Sequence, residues 1–264
     1  MVAFFSFLRR HPAVAVVRLS GAIAAGPRAL SDAGLAPLIE RAFRKGRPAA
    51  VALSVNSPGG SPAQSSLIAA RIRRLSEERK VPVLAFVEDV AASGGYWLAT
   101  AADEIFVDES SIVGSIGVIY ASFGFDRLLD RSGVERRVHT AGRSKSFLDP
   151  FRPEKPEDVA RLMALQQPIH QSFIAQVRAR RGARLREGEE LFTGEVWVGR
   201  QAVEVGLADG VGHLVPTLKA RFGEKVRIIP YGRRRSLFQR LGAELVGSAL
   251  GQIEERALWA RYGL

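Results

Sequence analysis

Three apolar, β-branched runs separated by stretches of helical spacing constrain this chain more than any other feature. Residues 13–23 (AVAVVRLSGAI), 49–55 (AAVALSV) and 81–88 (VPVLAFVE) are apolar at most positions rather than at every second one. Strands of that kind are buried on both faces, in sheets covered by helices on either side. Between them, Leu35, Leu38, Ile39 and Phe43 recur at helical spacing over residues 31–45, with Ser31 placed to cap them. Leu67, Ile68, Ile72 and Leu75 do the same over 63–79. The order predicts parallel strands joined by crossover helices, an α/β architecture.

Further along, residues 104–107 read as a short strand and 124–132 as a short helix. Residues 134–140 (VERRVHT) alternate like a half-exposed strand, and 156–182 read as a long helix. Two helical pieces broken at Gly206 and Gly210 fill 194–222, and 226–230 read as a last strand. With no internal repeat or low-complexity linker, the 264 residues divide three ways: an apolar and basic segment (1–12), one domain (13–232) and a basic amphipathic helix (233–264). Leu237, Leu241, Leu245, Ala249, Ile253 and Leu258 form the apolar stripe of that helix. The apolar start, Met1 to Leu8, is too short to cross a bilayer and lacks the charge-first order of a secretory signal. Cysteine is absent, which excludes a disulfide framework and a thiolate nucleophile. The net charge of +11 fits anionic partners, lipid or nucleic acid.

The chemistry centres on Ser93-Gly94-Gly95, where the run 81–88 hands over to a small-residue helix. A helix N-terminus presents free N–H groups and the positive end of the helix dipole, which suits a nucleophile. Serine is also a common N-cap, so both readings stand at this point. Asn56-Ser57-Pro58-Gly59-Gly60 and Gly114-Ser115-Ile116-Gly117 likewise follow strand-like runs. Strand ends of a parallel sheet share one edge, where two such turns converge on one oxygen or serve only as turns. None is a phosphate loop. Among His11, His139, His170 and His213, only His139 is placed to act as a base. A lysine does the same work when neutral, and Lys145, in a glycine and serine loop, is the best placed of six.

Five stretches, Asn56–Gly60, Ala92–Trp97, Ala102-Asp103, Gly114–Val118 and Gly142–Ser146, together resemble the signal peptide peptidase A family of serine peptidases (S49, protease IV-like), in its short single-domain form. The resemblance runs from about residue 13 to about residue 215. It implies a fold like that of Clp protease and the crotonases, and a Ser/Lys dyad with Ser93 as nucleophile and Lys145 as general base. Ser115 matches the serine that orients the lysine, and Gly59 and Gly94 match the oxyanion donors. No metal or cofactor is implied.

Cleaved signal peptides and other apolar, extended segments are the implied substrates. A ring-like homo-oligomer with serine and lysine from adjacent protomers is the implied assembly. The expected place is cytoplasmic or peripheral at the inner membrane, on an anionic surface, with no nucleic-acid partner. Two departures stand out: Ser54 replaces a frequent basic residue, and the transmembrane helix of many members is not seen. A crotonase-type acyl-CoA enzyme and a non-enzymatic membrane scaffold are the alternatives on the same fold.

Overall fold

The three apolar runs become the centre of a parallel sheet: β1 (Ala13–Ser20), β2 (Ala50–Ser57) and β3 (Val83–Ala92). They are joined through α1 (Asp32–Arg44) and α2 (Pro62–Arg79). The computed structural model describes residues 11–26, 29–142, 145–232 and 256–264, so most of the expected terminal segments, 1–10 and 233–255, lies outside the described residues. Ser31 and Ser61 cap α1 and α2, their Oγ atoms accepting the N–H groups of Gly34 and Gln64 at 3.3 and 3.4 Å.

After β3 come α3 (Gly94–Ala99), β4 (Glu104–Val107), β5 (Ile112–Gly114), α4 (Asp126–Arg131) and the long α5 (Pro156–Arg181). Then follow β6 (Val196–Val198), α6 (Arg200–Glu204), β7 (Gly210–Val211), α7 (Leu214–Phe222) and β8 (Arg227–Tyr231), and residues 256–260 are helical again. Among the described residues the strand order is β6-β5-β3-β2-β1-β8, with β4 and β7 branching from β3. Every pair is parallel except β5 with β6.

Alternate residues of each central strand feed two cores. Ala15, Val17 and Leu19 lie in the larger core with Leu35, Ile39, Ile68 and Ile72 of the covering helices. Val14 and Val16 share the other with Leu84, Phe86 and Leu218. Burial on both faces is why these strands are continuously apolar.

β3 changes partner midway. Leu84–Phe86 pair with β4, whereas Val90–Ala92 pair with β5. Between the halves the register against β2 slips, from Val55 opposite Val87 to Ser57 opposite Ala91. The extra residues, Glu88 and Asp89, are exposed in the bulge. A bulge bends its strand and re-aims the residues beyond it. Here it carries the end of β3 past the expected limit at 88, so that the strand delivers Ser93 directly.

The expected strand at 134–140 does not form; those residues are loop and nearly all exposed. Alternation makes a strand only where a neighbour takes the ladder hydrogen bonds, and none among the described residues pairs with it. Between Ile116 and Phe173 no described residue is buried, so this arm has no core of its own. The stretch 194–222 holds β6 and β7 as well as helices, because β5 and β4 each offer a free edge there.

α1 and α2 are clamped by charge. Arg71 donates to both Asp32 oxygens at 2.7 Å and to Glu40 at 3.1 Å. The Arg71 hydrogen bond holds the Asp32 carboxyl below its ordinary range. A depressed carboxylate stabilises the fold above its unfolded pKa, and that contribution is lost as pH falls through the folded value. Replacing Arg71 with Ala is expected to lower stability by about 1–3 kcal/mol near neutrality. The deficit shrinks in acid, where both forms have lost the carboxylate; denaturant melts at neutral and acid pH check this.

Candidate active site

Ser93 follows the last residue of β3, with a positive φ of 51° and ψ −122°. A residue other than glycine holds such a conformation only where its surroundings enforce it. Here Ser93 N–H donates to Gly114 O at 2.8 Å, and Ser93 O accepts from Trp97 N–H at 3.0 Å. The residue occupies the N-cap position of α3, yet its side chain makes no capping bond. The partly exposed hydroxyl has no hydrogen-bond partner among the described residues. Its geometry is that of a presented hydroxyl rather than a cap.

The Asn56–Gly60 turn is pressed against this elbow. A Cβ on Gly59, whose φ is 100°, would stand 2.8 Å from Gly94 N and 2.9 Å from Ser93 Cβ. Only glycine permits that approach. A Cβ on Gly95 would meet Ser57 O at 2.3 Å. The buried Ser57, not singled out from the sequence, braces the turn: its Oγ donates to Gly21 O at 2.7 Å and accepts Gly59 N–H at 3.2 Å. Gly94 N–H opens α3 and so lacks an intrahelical acceptor. The N–H of Gly60 has no partner among the described residues either.

Ser115 leaves the neighbouring strand beside Ser93, since Ala92 pairs with Gly114. It too has a positive φ of 51°, and its N–H donates to Glu195 O at 2.6 Å. Ser93, Ser115, Gly59 and Gly94 therefore gather at one sheet edge. Lys145 does not join them. It is exposed, its N–H donating to Gly142 O at 3.2 Å, and its side chain bonds neither Ser93 nor Ser115. His139 is exposed in the same arm, without a contact to the site. His170 touches the frame of the site instead, with Nε2 3.1 Å from Ile116 O.

The remaining supports explain why the motif is long. Tyr96 is fully buried; its hydroxyl donates to Leu207 O at 2.8 Å, and burial pushes its pKa well up. Trp97 stacks on Phe173 of α5 at 4.9 Å. Asn56 ties the bulge, donating to Asp89 and accepting Val90 N–H at 3.2 Å. Where a basic residue is expected, Ser54 donates to Glu88. Arg18, opposite Ser54 on β1, reaches the same carboxylate at 3.3 Å. A cation thus stands beside Glu88 from the adjacent strand.

Residues 76–222, more than half of the chain, match the sequence model of peptidase family S49. The chain belongs to peptidase family S49. The mostly parallel sheet with flanking helices is the Clp protease/crotonase-like fold expected of an S49 member. Serine protease SPPA, chloroplastic, of Arabidopsis thaliana is 33% identical over 76% of this chain and 31% of its own length. Protease 4 of Haemophilus influenzae is 32% identical over 75% and 32%.

Na(+)/H(+) antiporter NhaA of Brucella melitensis biotype 1 is 48% identical over 95% of this chain but 37% of its own length. That shared segment takes in the S49 residues, so S49 sequence is what the two have in common. The chain thus spans about a third of the length of these relatives. No helix among its described residues is long and apolar enough to cross a membrane.

Proposed function

We propose that this S49 chain is a serine peptidase with Ser93 as nucleophile and Lys145 as general base. The observation that carries it is the uncapped Ser93 hydroxyl, held at φ 51° in an elbow that only a glycine at position 59 can approach. Lys145 takes the Ser93 proton as Oγ attacks a peptide carbonyl. Backbone N–H groups at Gly94 and the Gly59 turn receive the oxyanion. Lys145 then gives the proton to the leaving amine, and water resolves the acyl-enzyme. Relatives named as proteases support the same chemistry.

Lys145 reaches the site from a neighbouring copy, and Ser115 then orients it. The arm carrying Lys145 buries nothing of its own and exposes Ile119, Tyr120, Phe123, Phe125, Leu128 and Phe151. Apolar surface of this extent marks an interface, which favours a ring-like homo-oligomer. Extended apolar peptides, cleaved signal peptides among them, are the substrates that a ring interior admits. The basic charge supports a cytoplasmic place, or a peripheral one on an anionic inner-membrane surface.

A fluorophosphonate probe followed by peptide mapping tests the nucleophile. One adduct on Ser93, lost in Ser93→Ala, is expected. An unlabelled wild type, or a label elsewhere, turns the reading toward the acyl-CoA or scaffold alternatives.

A further inference from the structure

A second site lies away from Ser93, beside the sheet edge formed by β8. A groove of about 980 Å³ runs between the C-terminal end of α1 and β8. His11, Arg41, Lys45, Arg47 and Arg227 line it, and among the described residues no acidic one does. Arg41, Lys45, Arg47 and Arg227 form no ion pair among the described residues. Elsewhere the arginines are commonly paired; Arg44, one turn from Arg41, is held by Glu40. Arg41 lies instead over the Tyr231 ring, 5.6 Å from its centroid, where the contact fixes its guanidinium without neutralising it. Arg47 carries a positive φ of 48°. Among the described residues β8 is an outer strand, so half of its backbone groups have no strand partner there.

We propose that this groove binds the phosphate headgroups of anionic phospholipid, and that it is the folded domain's own contact with the membrane. Guanidinium and ammonium groups without carboxylates match phosphate in charge and hydrogen bonding. Lipid is favoured over a soluble phosphate because His11 and Gly232 both border the groove. The chain on either side of them reads MVAFFSFLRR and RRRSLFQRL, basic residues interleaved with Phe and Leu. Sequence of that composition, directly bonded to two groove residues, suits a bilayer surface. The proposal deepens the membrane-surface reading above and is independent of the peptidase chemistry.

Flotation of the full chain with phosphatidylcholine vesicles, with and without phosphatidylglycerol, tests it. Wild type is expected to float only with phosphatidylglycerol. Arg47→Glu with Arg227→Glu is expected to lower binding on the order of tenfold or more, from charge alone. Lys80→Glu with Lys155→Glu makes the same charge change outside the groove and is expected to retain most binding. The neutral pair Arg47→Asn with Arg227→Gln, checked for an unchanged melting temperature, guards against a folding defect and is also expected to weaken flotation.

If wild type never floats, the membrane reading falls with the proposal. If wild type floats and the groove variants float equally, or the Lys80 and Lys155 control loses as much, the groove is not the site. Inorganic phosphate that protects the chain thermally through Arg47 and Arg227, without flotation, overturns lipid in favour of a soluble anion.

Discussion

Gly59→Ala is expected to lower kcat/KM on an extended apolar peptide by about a hundredfold or more, the range seen when one oxyanion donor is lost. The added methyl would meet Ala92 O and Gly94 N at 2.8 Å and Ser93 Cβ at 2.9 Å, so backbone on one side must retreat. Whichever side yields, the amides of the turn and of α3 no longer converge on one point. The residue also sits at φ 100°, which alanine adopts only under strain. The loss should fall mainly on kcat, because the donors act on charge that develops in the transition state. Gly26→Ala, in open space, is the control and should change nothing. Near-wild-type turnover in Gly59→Ala would remove the Gly59 turn from the oxyanion site.

The sheet was readable because its signal is local. Continuous apolar runs at 13–23, 49–55 and 81–88 demand burial on both faces, and the helices between them supply it. The turns that carry Ser93, Gly59, Gly94 and Ser115 follow from the same logic, since parallel strands place their terminal turns on one edge; the roles of Gly59, Gly94 and Ser115 come only from the family resemblance. The bulge at Glu88 and Asp89 was not readable. It arises because β3 must pair with β4 and then with β5, a conflict that no single stretch of sequence displays. Arg18 standing in beside Glu88 depends on the β1–β2 register in the same way. Residues 134–140 misled because alternation records a half-buried surface without saying whose surface covers it. The exposed apolar side chains of that arm have no cover among the described residues. Lys145 shares this feature: its residue type fits the chemistry, but its side chain has no hydrogen-bond or ion-pair partner among the described residues.

A mixing experiment therefore tests the central claim most directly, that Ser93 and Lys145 form one dyad across two copies of the chain. Ser93→Ala and Lys145→Ala, each expressed alone, are expected to be inactive toward an extended apolar peptide. Co-expressed in equal amounts and purified through two different tags, they should regain activity. A site needs Ser93 from one copy and Lys145 from the next, so about a quarter of sites are complete in a randomly mixed ring. Recovery near that fraction of wild-type activity per chain is expected, with a fluorophosphonate adduct only on the Ser93-bearing chain. Full activity in Lys145→Ala alone, or doubly tagged assemblies with no recovery, would contradict it.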